Sequence, residues 1–172
     1  GSEMCIETDL YKIKVNSQDS EGNTALHHAI EKIKDLIDKL NTGITDELYI
    51  KLESYFCLIQ HIMKIYLEKR TDSMKIHFDQ EVQSPLYITN KEGKPPYRRI
   101  IEYFPSEGAN KKVITHLEIK NFLRFYEKDP NKRVLKGKKL NPWKNASSLM
   151  KQIYPSFQRS EESYSNKLLS LI

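Results

Sequence analysis

What the chain has little of narrows it first. It holds two cysteines in 172 residues, Cys5 and Cys57. Two are too few for a disulfide framework, and they fit a reducing compartment such as the cytoplasm. Cys57 falls within a helical pattern, where a thiol serves as a small apolar filler and not as a nucleophile. No apolar run approaches the length of a membrane span. The densest patch, Tyr55-Phe56-Cys57-Leu58-Ile59, gives way at once to Gln60-His61. The first twenty residues hold no signal-peptide core. The Gly1-Ser2 start has the look of a cloning remnant, so the natural chain is expected to be longer.

The chain also lacks the spacings that carry chemistry. Its histidines are His27, His28, His61, His77 and His116. None falls in an HExxH or Cys/His zinc pattern. There is no glycine-rich phosphate loop, no GxSxG and no kinase signature. Asp35 and Asp38 stand three apart, which reads as a solvated helix face and not as a working carboxylate pair. No catalytic residue, metal ligand or cofactor is therefore expected, and the chain reads as a non-enzyme. In the alternative, it is an accessory domain positioning a catalytic domain elsewhere in a longer parent.

What is present describes a soluble, charge-rich folded domain: 38% hydrophobic, 30% charged and 10% aromatic. That is too apolar for disorder, and the length suffices for one core. The net charge of +5 is unevenly spread. Residues 1–110 carry 14 Lys+Arg against 18 Asp+Glu, and residues 111–172 carry 14 against 5. A lysine-rich solvated face explains this blandly. An anionic partner, nucleic acid or anionic lipid, explains it functionally. Lys132, Arg133, Lys136, Lys138 and Lys139, with Lys144 beside Trp143, are the candidate anion-binding residues.

Periodicity makes the fold mainly α. Residues 1–14 are a short mixed lead-in. Leu26, Ile30, Ile33, Ile37 and Leu40 then recur at steps of 4, 3, 4 and 3, an apolar stripe on one helix. Gly43 is placed to end it in a left-handed conformation. Asp46 and Glu47 open a longer helix near 46–69, expected to be central, with Leu48, Leu52, Tyr55, Ile59, Ile62 and Tyr66 on its stripe. Leu58 and Ile65 fall off that stripe, which suggests a second buried face. Residues 74–89 lose the helical period and read as extended, like a short hairpin finger. Pro95-Pro96 starts a short helix through Phe104. After residue 108 come helices opened by Thr115 and Glu118, by Asn141-Pro142 and by Ser160-Glu161-Glu162. They make residues 109–172 a basic helical extension.

One stretch has an informative residue order. Asn16-x-x-Asp19-x-x-Gly22-Asn23-Thr24-Ala25-Leu26-His27-x-Ala29 resembles the ankyrin repeat signature, with Ala25 at the usual proline. In that reading Asp19 and Gly22 make a projecting turn, Thr24 caps the helix and His27 bonds back to the turn. A degenerate partner is Asn90-x-x-Gly93-x-Pro95-Pro96-Tyr97-x-x-Ile100. A competing register uses Ser84-Pro85-Leu86-Tyr87 and keeps Asp79, but has Val82 where glycine belongs. The first register is preferred, because glycine is hard to replace in a left-handed turn.

Gly22 and Gly93 stand 71 residues apart, against roughly 33 for one ankyrin period. The region 15–108 is thus divergent, with a long helix inserted. The resemblance implies a protein-interaction module contacting its partner through turns and a helix face. It implies Ser17, Gln18, Ser20, Glu21 and Asn23 on the first turn and Lys91, Glu92 and Lys94 on the second as contacts. The short irregular array also resembles ankyrin effectors of intracellular bacterial pathogens, which implies a host protein as partner and the host cytoplasm as location.

Overall fold

Thr24 starts the first helix, α1 (Ala25–Thr42). The backbone N–H of His27 donates to Thr24 Oγ1, and the His27 ring takes the Thr24 N–H, so the helix start is capped in both directions. In this computed structural model, residues 14–76, 83–104, 118–120 and 142–157 are described, without the side chains of 68–76 and 142–143. They are mainly helical, and no strand occurs among them.

The apolar stripe of α1 is buried as its period requires. Leu26, Ile30, Ile33, Ile37 and Leu40 are all at most 2% exposed. They pack on α2 (Asp46–Ile76), which carries Asp46 and Glu47 at its positive dipole end. Helix α2 is longer than the periodicity suggested and lies against both α1 and α4 (Pro142–Ile153), so it is central as expected. Leu52, Phe56, Ile59 and Met63 fill its core face. Asn145 on α4 donates to the buried Gln60 of α2 at 3.1 Å. At the other end Tyr49 stacks on Phe157 with centroids 4.9 Å apart.

Three local expectations differ from the structure. Gly43 is extended, with φ 174°, and needs no left-handed backbone. The Thr42 hydroxyl instead donates to the carbonyl of Lys39 at 2.7 Å and satisfies the helix end. Of the extended finger expected over 74–89, residues 74–76 continue α2, 77–82 lie outside the described residues, and Pro85–Tyr87 form a 3-10 turn, because Pro85 presets the backbone and Ser84 Oγ accepts from the Leu86 N–H. The second buried face of α2 is met only in part: Ile65 packs against the core, but Leu58 is 42% exposed. Short helix α3 (Pro96–Tyr103) begins at the proline pair as predicted, with Pro95 as its N-cap.

Among the described residues, two buried side-chain atoms lack a hydrogen-bond partner, Asn16 Oδ1 and Tyr154 Oη. Tyr154 Oη is fully covered and makes no hydrogen bond, and burial pushes its ionisation up to about 12. Removing an unsatisfied buried hydroxyl recovers its desolvation cost. Tyr154→Phe is therefore expected to raise stability by about 1 kcal/mol. A denaturation curve checks this, and a lowered midpoint would contradict it.

Candidate interaction surface

The surface is built from two turns that share one design. In the first, the Gly22 N–H donates to the Asp19 carbonyl at 2.9 Å and the Asp19 N–H to the Asn23 carbonyl at 2.9 Å. The Asp19 carboxylate Oδ1 takes the N–H groups of Glu21 and Asn23. Each bond recurs 71 residues later: Gly93 N–H to Asn90 O, Asn90 N–H to Lys94 O, and Glu92 and Lys94 N–H to Asn90 Oδ1. Both glycines sit in the left-handed region, Gly22 at φ 76° and Gly93 at φ 72°. Asn90 serves where Asp19 does, because both offer a side-chain oxygen at the same reach.

The two turns lie edge to edge despite the long sequence between them. The Lys91 N–H donates to the Glu21 carbonyl at 3.0 Å. Asn90 Nδ2 donates to Asn23 Oδ1 at 3.0 Å, and Gln18 Nε2 to the Thr89 carbonyl at 2.8 Å. A Cβ on Gly22 would stand 2.8 Å from Lys91 N and 3.0 Å from Asn90 Cα. Gly22 thus serves twice, for its backbone angle and for the closeness of the second turn. Gly93 has open space at that point.

His27 is the link between the units. Its Nδ1 accepts the Thr24 N–H at 3.0 Å, and its Nε2 lies 2.9 Å from the Lys94 carbonyl. The acceptor role of Nδ1 puts the proton on Nε2, which then donates to Lys94. Burial, first, holds its pKa below the ordinary histidine value. His28 is exposed and lies 2.7 Å from Asp19 Oδ2. That hydrogen bond, then the Asn23 N–H, holds the Asp19 carboxyl below the usual range.

Beside the turns, α1 and α3 are joined by a polar cluster. Arg99 Nη1 donates to Glu31 at 2.7 Å, the Tyr103 hydroxyl donates to the same carboxylate, and Arg99 Nη2 lies 3.5 Å from Glu92. The sequence reading missed Arg99, Tyr103 and Glu31. The four-residue step from Arg99 to Tyr103 was the available signal; Glu31 lies far from both in sequence and gave none.

The structure brings the turn residues named from the sequence into one surface but divides their work. Ser17, Ser20, Glu21, Lys91 and Glu92 are exposed. Gln18 and Asn23 spend their side chains holding the turns together, so their roles are structural as well. Lys94 is half-buried, with Nζ 3.7 Å from Glu102. Of the anion-binding candidates, Lys144 is exposed on α4. Lys132, Arg133, Lys136, Lys138 and Lys139 lie outside the described residues. Cys57 is buried, and burial pushes its thiol up to about 12, so it is a packing group.

Among the described residues, no group of three or more His, Cys, Asp or Glu is placed to hold a metal ion. No helix there is long and apolar enough to cross a membrane. No family model matches the chain, and neither a curated protein nor a solved structure matches it.

Proposed function

We propose that this chain is a protein-interaction module built as a divergent ankyrin-type stack. Its contact surface is the paired turn tips and the helix face beside them. One observation carries this reading: a turn recurs with its own internal hydrogen bonds and docks on its predecessor through His27, Gln18 and Asn90. Such a pair presents side chains from a braced backbone. A braced surface loses little entropy on binding, which favours recognition of another protein. The exposed tips carry Glu21, Lys91 and Glu92 around Ser17 and Ser20, a mixed-charge patch suited to a polar interface rim. On the resemblance of its signature, the module belongs to a bacterial effector acting on a host protein in the host cytoplasm.

The test is a capture experiment from host-cell lysate, comparing the protein with a variant carrying Glu21→Lys, Lys91→Glu and Glu92→Lys. All three side chains are exposed, so folding is retained. The variant is expected to lose the captured protein by about tenfold or more. Equal capture by both would remove the turns from the interface.

A further inference from the structure

A concavity of about 360 Å³ lies between α1 and α2, built from residues that neither turn supplies. Its apolar part is Leu36, Tyr55 and Leu58. Leu36 is buried and Tyr55 half-buried, while Leu58 stands 42% exposed on a helix whose neighbouring apolar residues are covered. Its rim carries Lys32 and Lys39 from α1 and Lys51 from α2, against the single carboxylate of Asp35.

The rim charges are not equivalent. Lys39 pairs with Asp35 at 3.1 Å and Lys51 with Glu47 at 3.2 Å. Lys32 is exposed and makes no ion pair among the described residues. The groove therefore offers one uncommitted ammonium beside apolar surface that gains by being covered. From this we infer that the groove takes a short acidic segment of a partner protein, anchored by one bulky aliphatic or aromatic side chain. The anchor packs on Tyr55 and Leu58, and a flanking Asp or Glu of the partner reaches Lys32. Asp35 and Glu47 beside the other two lysines repel a polyphosphate chain, which argues against RNA and against an anionic membrane surface. A segment with isolated carboxylates and an apolar side chain meets both features of the groove.

The experiment uses fluorescence anisotropy with three labelled peptides: an acidic one with a central Leu-Phe pair, the same with Ala-Ala, and a lysine-substituted one with Leu-Phe. Binding is expected for the first peptide alone. Lys32→Glu and Leu58→Asp are each expected to weaken it about tenfold, with Leu58→Ala as a milder check. Both side chains are exposed, and thermal unfolding of each variant verifies the fold. The variant with all three turn charges reversed is expected to bind the peptide unchanged, which separates this surface from the turns. The inference is overturned if the acidic Leu-Phe peptide fails to bind at millimolar concentration, or binds the groove variants equally. It is overturned as well if RNA or phosphatidylserine vesicles bind with the same dependence on Lys32 and Leu58. Self-association that Leu58→Asp abolishes would assign the groove to a second copy of the chain instead.

Discussion

Gly22→Ala is expected to destabilise the protein by roughly 3 kcal/mol, and Gly93→Ala by only about 1 kcal/mol. The two glycines share a backbone conformation, with φ 76° and 72°, so the strain of adding a Cβ is nearly the same at both. They differ in what the Cβ meets. At Gly22 it stands 2.8 Å from the backbone nitrogen of Lys91, and at Gly93 it meets open space. A backbone atom cannot turn aside as a flexible side chain can. The second turn must move off, loosening the Lys91–Glu21 hydrogen bond and those of Asn90 and His27 beside it. For a chain of this size the difference amounts to roughly 5 °C or more in the unfolding midpoint. Calorimetry on the two variants reads it directly. Equal losses would mean that the turns do not rely on close approach.

The second large effect belongs to His27. Its ring is buried, and His27→Ala removes one bond to the Thr24 N–H and one to the Lys94 carbonyl. The Thr24 N–H is left covered and unpaired, while the Lys94 carbonyl keeps only its bond from the Asn90 N–H, and the loss is expected to cost roughly 1–3 kcal/mol. Protonation does related damage, because a proton on Nδ1 would face the Thr24 N–H, a second donor.

The sign follows from linkage. Burial lowers the folded-state pKa of His27, so the unfolded chain binds more protons than the folded one in the acid range. Stability therefore rises with pH, and it falls as pH drops below the unfolded value of about 6.5 toward the folded one. His61 is shifted the same way, again first by burial, and contributes a slope of the same sign. The His27 share is the part of the slope that disappears in His27→Gln. Asp19 acts in a lower window: its depressed pKa adds stability that is lost below about 4. Urea midpoints between pH 7 and pH 5 separate the two. A His27→Gln variant with an unchanged slope would refute the His27 assignment.

How much of this was legible in the sequence depends on the range of the interactions. Thr24 and His27 are three residues apart, and their mutual capping follows from that spacing alone. The stripe from Leu26 to Leu40 and the start of α2 at Asp46 are likewise local, and the structure agrees with both. Gly43 shows why local rules can fail, since a neighbouring hydroxyl met the need that glycine would have met.

The contacts that define the surface are long-range. Nothing in the chain between Asn23 and Asn90 indicates that their amides would meet, or that Gln18 and Asn23 would be drawn from the tip into the joint. The competing register at Ser84 had plausible chemistry, yet Ser84 caps a single 3-10 turn, and the turn that duplicates the first is the one at Gly93. The groove beside Leu58 was hidden for the same reason. Periodicity placed Leu58 off the stripe, but only the packing of α1 shows which side of it is open.

The proposal that the stacked turns form one contact surface is tested most directly by site-specific photocrosslinking. A photoreactive side chain is placed singly at Ser20, at Glu92 and at Asp38, all of them exposed. Ser20 and Glu92 lie on the two turns, and Asp38 lies on α1 outside them. The account predicts that Ser20 and Glu92, though far apart in sequence, crosslink to the same partner protein while Asp38 does not. Crosslinks from Asp38 alone, or different partners from the two turns, would contradict it.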